Sequence, residues 1–181
     1  MKTERLAKIL EELKGAEQRV SDAAATFSGN EGADAYCLLP QLLSMIAGKL
    51  SPTSERFCFG EFVSSGRILQ AIELQRRDGL ATEEMIFESD RSITKINEFL
   101  SVATGASVSL LIYVLALTGR RCSDSINQVA SIASQSLDRR LQYRAYQFIC
   151  SISPELASTH PWSEFAPENS EERLQWGSVG R

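Results

Sequence analysis

Histidine is nearly absent: His160 is the only one in 181 residues. A single imidazole excludes His-rich metal sites and leaves few Ser–His or Cys–His arrangements. His160 lies in Ser158-Thr159-His160-Pro161-Trp162, which reads as an irregular surface loop. Its one nucleophilic alternative is a pairing with Cys150. Phosphate-binding glycine loops are also missing, with no G-x-x-x-x-G-K-[ST] and no G-x-G-x-x-G. There is no G-x-S-x-G elbow and no H-E-x-x-H. No residue is therefore assigned a catalytic, cofactor-binding or metal-binding role, and a non-enzymatic protein is expected. An enzyme of unrecognised type, working through a cysteine or paired acids, is the chemical alternative.

Cysteine is sparse. Cys37, Cys58, Cys122 and Cys150 are far apart and form no C-x-x-C pair. A small disulfide scaffold carries more cysteine at tighter spacing. The four are expected to be reduced thiols packed as small apolar groups. A surplus of positive charge is lacking as well: the net charge is −4. That removes the basic field that draws a protein to nucleic acid or anionic lipid. The first residues, MKTERLAKILEELK, carry charge throughout, so neither a signal nor a transit peptide is expected and the expected location is cytoplasmic.

Prolines number 5 and glycines 11, mostly falling between periodic segments. What remains is 43% hydrophobic and strongly helical in its spacing. A chain of this length buries roughly 70% of its unfolded surface, enough for a core without staples. Thr3 to Phe27 reads as one amphipathic helix, with Leu6, Leu13, Val20 and Phe27 at one heptad position. It packs on the protein's own core, or it docks and self-associates.

A loop at Ser28–Gly32 precedes a second helix near Ala33–Leu50, kinked or restarted at Pro40. Ser51 and Pro52 open a third helix, with Glu55 in its first turn and Phe57 on its face, ending at Asp78 with Gly79 as its cap. Thr82 caps a fourth, carrying Met85, Ile86, Ile93, Ile96, Phe99 and Leu100. An apolar fifth spans Ala106 to Thr118 and stops at Gly119. Ser123 caps a long sixth whose stripe includes Val129, Leu137, Leu141 and Phe148.

The expected fold is all-α: a single compact bundle of about six helices over residues 1–153, with a central apolar helix. An irregular C-terminal tail, residues 154–181, packs on the bundle or on a partner. Asn169 to Glu172 has capping-box spacing within it.

The stretch from Phe99 to Thr118 holds no charge in 20 residues, long enough for a membrane span. Gly105 and four hydroxyl residues dilute it, which favours a buried helix. A membrane-associated helical protein is the alternative it supports. Glu84 and Glu88 align at i,i+4, the pattern of a solvated helix face.

Arginine and tyrosine interleave in Arg139–Gln147. Arg140, Tyr143, Arg144 and Gln147 share a face of the kind that anchors protein interfaces. The same residues could grip phosphates and stack on bases, but the acidic total opposes nucleic acid. Trp162, Phe165 and Trp176 are aromatic anchors in the tail. The function expected from these features is a protein-binding module, whether adaptor, inhibitor, immunity-type or chaperone-like.

Overall fold

Every regular element is helical, and no strand occurs among the described residues, so the chain is all-α. The structure, a computed structural model, describes residues 2–51 and 59–166. Pro52, Glu55, Phe57 and Cys58, with Trp176 and the Asn169–Glu172 box, lie outside them. The chain divides into two compact units, residues 1–118 and 119–181. The residues expected to share one bundle, 1–153, fall on both sides of that division.

The first unit begins with α1 (Lys2–Lys14) and α2 (Gln18–Ser28). The expected continuous helix is broken at Gly15–Glu17. The break is stabilised locally: the buried Ser21 hydroxyl donates to the Leu13 carbonyl at 3.2 Å, satisfying an acceptor that the end of α1 leaves open. The heptad line breaks with it. Leu13 is buried, whereas Val20 and Phe27 point outward, Phe27 being 64% exposed. Instead α2 buries Ser21, Ala24, Ala25 and Ser28, a face of small residues.

A 3₁₀ segment, Gly29–Leu38, replaces the expected loop and the start of the expected second helix, turning at Gly32 with φ 70°. α3 (Leu39–Ala47) then starts afresh with Pro40 in its first turn, where a missing N–H leaves nothing unsatisfied.

The small face of α2 meets a small face of α4 (Gly60–Arg77). The Ser64 hydroxyl donates to the Ala25 carbonyl at 2.5 Å and accepts from the Gly29 N–H at 3.1 Å. A Cβ on Gly60 would collide with the side chain of Thr26, so glycine sets how closely these helices approach. α4 also packs against α3, α5, α6 and the 3₁₀ segment. Its end is read correctly from sequence. Gly79 has φ 70°, and the Leu80 N–H reaches the Gln75 carbonyl at 2.7 Å, closing a Schellman turn. Leu80 itself is 69% exposed, so the hydrophobic half of that motif is missing.

α5 (Glu83–Leu100) is capped by Thr82, whose Oγ1 accepts from the Met85 N–H at 3.3 Å. After a turn through Gly105, α6 (Ala106–Thr118) follows. Leu111, Ile112, Val114 and Leu115 are fully buried, as an all-round apolar sequence requires. The charge-free stretch is thus split between two helices. α6 is roughly 20 Å long by its 13 residues, short of a hydrocarbon core of about 30 Å. Among the described residues no helix is long and apolar enough to cross a membrane.

The second unit opens with a 3₁₀ stretch, Gly119–Ser125, then α7 (Ile126–Gln135) and α8 (Arg139–Ile152). The expected long helix with Ser123 as cap is therefore two helices, and the first begins after Ser125. Side chains make the break at Ser136–Asp138. Asp138 Oδ1 accepts from the Arg140 N–H at 2.8 Å, capping α8. Gln142 Nε2 donates to the carbonyls of Ala133 and Ser136 at 3.2 and 2.8 Å, covering the end of α7. Leu137, expected on the buried stripe, sits in the break and is 100% exposed.

Two further turns follow, α9 (Pro154–Ala157) and a 3₁₀ turn at Pro161–Phe165, and both pack on α8. The core of this unit gathers Val129, Ala133, Leu141, Phe148, Ile149 and Trp162. Asp138→Ala is expected to lower the stability of this unit by about 1 kcal/mol, the usual worth of an N-cap. Urea denaturation would read this as a lower midpoint with an unchanged slope.

Candidate functional site

α3 and α5 leave between them a groove of about 800 Å³ in the first unit. Its α3 wall is formed by Pro40, Leu43, Ser44 and Ala47. No residue of α3 carries a charge. The α5 wall combines Phe87 and Phe99 with Glu88, Asp90, Arg91, Thr94, Lys95 and Glu98.

The charges on that wall are partly tied along the helix. Arg91 lies 3.7 Å from Glu88, and Lys95 lies 2.6 Å from Glu98. The Lys95 ammonium also sits 5.5 Å from the centre of the Phe99 ring, a cation–π distance. Phe87 stands at the groove with 68% of its surface exposed. Phe99, the other aromatic of α5, is by contrast only 6% exposed.

The two carboxylates aligned on α5 sit in different surroundings. Glu84 is exposed, and its carboxyl is held below the usual range by the backbone N–H at the helix start and then by Thr82. Glu88, sunk to 13% exposure, is pushed up by burial, with Arg91 and Ser92 opposing.

A second concentration of charge lies inside the same unit. Lys49 Nζ is 3.0 Å from Glu61 Oε1 and 3.6 Å from Asp22 Oδ1. The Glu61 side chain is 0% exposed. The Lys49 ammonium pairs with this buried carboxylate. Burial pushes the Glu61 carboxyl up, against its own backbone N–H and Lys49, while Asp22 adds to the rise. The cluster joins α2 to the start of α4 through the turn that follows α3.

The residues singled out from sequence fall in the second unit. Arg140, Tyr143, Arg144 and Gln147 all lie on α8. Arg140 is exposed, 3.7 Å from Asp138. Tyr143 and Arg144 are half-buried, and so is Gln147. Tyr143 stacks on Tyr146 with ring centres 6.2 Å apart. Phe165 lies under the guanidinium of Arg139 at 5.5 Å.

Trp162 is 4% exposed and packs flat against His160 at 4.1 Å. Its ring therefore belongs to the interior of the unit, and the histidine read as a surface loop residue is half-buried on it. Of the thiols, Cys122 is buried and Cys150 half-buried, while Cys37 is exposed rather than packed; Cys58 lies outside the described residues. Burial still raises the Cys37 thiol, against its own backbone hydrogen bond, which disfavours the reactive thiolate.

The groove is what sequence reading missed. Its single local signal was Phe87, an aromatic off the apolar stripe of α5. Among the described residues no three His, Cys, Asp or Glu side chains converge as metal ligands. No protein-family model, curated protein or solved structure matches this chain.

Proposed function

We propose that this chain is a helical protein-binding module, acting as an adaptor, inhibitor, immunity-type or chaperone-like protein without chemistry of its own. The observation that carries the reading is the α3–α5 groove, with the largely exposed Phe87 on one wall and an uncharged α3 on the other. An exposed aromatic beside an apolar wall, with charge at its edge, suits an interface centre and its rim. A cytoplasmic location belongs to the same proposal. It is supported by Cys37, Cys122 and Cys150 being free thiols, the ordinary state in a reducing compartment.

The test is affinity purification of the tagged protein without detergent, in parallel with Phe87→Arg. The expected result is one partner near equimolar with the native protein, lost with the variant while far-UV circular dichroism is unchanged. Retention by both proteins would move the interface away from the groove. Retention by neither would overturn the reading.

A further inference from the structure

We propose that His160 and Trp162 form an acid-responsive clasp, in which protonation of the imidazole tightens the segment Pro154–Phe165 on α8. The sequence sets the pair up. Pro161 disfavours helical backbone at the residue before it, and His160 is extended, with φ −111° and ψ 137°. Pro161 then opens the 3₁₀ turn that carries Trp162. That turn and α9 both pack on α8, and the indole, 4% exposed, belongs to the core of the second unit. The imidazole lies flat on it, with ring centres 4.1 Å apart and planes 5° from parallel.

Face-on stacking leaves both ring nitrogens at the edge of the stack, and His160 is half-buried rather than buried. Charging this ring therefore does not place an ion in a dry site. An imidazolium on the face of an aromatic ring gains a cation–π attraction that the neutral ring lacks, and tryptophan is the best ring for it. Among the described residues no hydrogen bond or ion pair of the His160 side chain competes with the stack.

The charged groups of the elements packed here are Arg139, Arg140 and Arg144 on α8 with Asp138 at its cap, Glu155 on α9 and Glu164 in the 3₁₀ turn. Arg139 is engaged over Phe165 and Arg140 lies beside Asp138. None of the six is ion-paired with His160. The stack is thus the contact that changes when the ring gains its proton. Its added attraction is present while the ring is charged and is lost as pH rises through the imidazole range.

The test uses the full chain carrying Trp176→Phe, in which Trp162 is the sole indole. Emission is followed from about pH 8 to about pH 5.5, the span in which histidine titrates. His160→Phe, a flat ring with no proton to gain, and His160→Gln are the controls. In the folded chain Trp162 emission is expected to fall in one single-proton step on acidification, because an imidazolium in contact quenches the indole. Both controls are expected to lack that step.

Urea unfolding at the two pH values, read by the same emission, then measures the clasp. Acidification is expected to lower the unfolding constant about three- to fivefold more with His160 present than in either control, the yield of a partly exposed cation–π contact. An absent emission step, or the same step in the controls, would overturn the contact. A step accompanied by equal urea responses in all three chains would overturn the clasp and leave a passive stack. A loss of stability on acidification that needs His160 would overturn it too, since the charged ring would then be leaving the indole.

Discussion

Lys49→Met is expected to destabilise the first unit by about 3–5 kcal/mol at neutral pH, the cost of stranding a buried charge. Methionine keeps most of the stem, so little packing is lost. What disappears is the ammonium 3.0 Å from a carboxylate with 0% exposure. Asp22, the other acid on Lys49, then repels Glu61 with no cation between them. Adding Glu61→Leu is expected to bring stability back to within about 1 kcal/mol of the native chain or above it, because a buried pair replaced whole by apolar groups is often neutral or better.

The deficit also has a direction in pH. Burial raises the Glu61 carboxyl in the folded state, so the fold binds that proton more tightly than the unfolded chain does. The contribution of Glu61 is then stabilising below the ordinary carboxylate range and is lost as pH rises through the raised value. Lys49 opposes the rise, so removing it carries Glu61 further up. The Lys49→Met deficit is therefore largest near neutrality and shrinks on acidification. Urea titrations across that range, followed by circular dichroism, decide the matter. A deficit independent of pH would assign Lys49 to packing of its stem instead.

Gly60→Val is expected to lower stability by an amount at or above the upper end of about 1–3 kcal/mol, the range for overpacking. The added Cβ would sit 3.0 Å from Thr26 Cα, and backbone cannot swing aside as a side-chain tip can. α2 and α4 would have to separate, straining the Ser64 bonds to Ala25 and Gly29. Gly48→Ala is the internal control. Its Cβ would meet only the Met45 carbonyl at 3.5 Å, and its φ of −71° suits alanine. Its effect should stay within about 0.5 kcal/mol. Equal unfolding midpoints for the two variants would mean that α2 does not approach α4 as closely as described.

Local signals were legible in the sequence wherever one residue makes a backbone event. Thr82 as a cap, Gly79 as a stop and the span Ala106–Thr118 are found where their chemistry placed them. The breaks at Gly15–Glu17 and Ser136–Asp138 were not. On each side of them the apolar spacing stays near helical phase, so periodicity alone runs straight through. What breaks the chain is side-chain bonding: Ser21 reaching back to Leu13, and Asp138 with Gln142 closing two helix ends.

A buried face built of serine and alanine is also invisible to a search for large apolar residues, which places Val20 and Phe27 inward and passes over Ser21 and Ala25. The candidate site could not be found from either half alone. Its walls are at least 40 residues apart in sequence, the separation of Ala47 from Phe87, and only packing brings them together.

Trp162 lies inside the second unit, and the chain's other tryptophan, Trp176, also follows residue 118. The first unit has only Tyr36 and Tyr113 as phenols and no indole at all. Through Trp162 the tryptophan emission carries a signal from the second unit, while circular dichroism sums the helices of both. Denaturation curves from the two probes need not coincide, and their disagreement would not by itself mark a folding intermediate. Substitutions in the first unit, Lys49→Met and Gly60→Val among them, are therefore to be followed by ellipticity, to which the helices of that unit contribute.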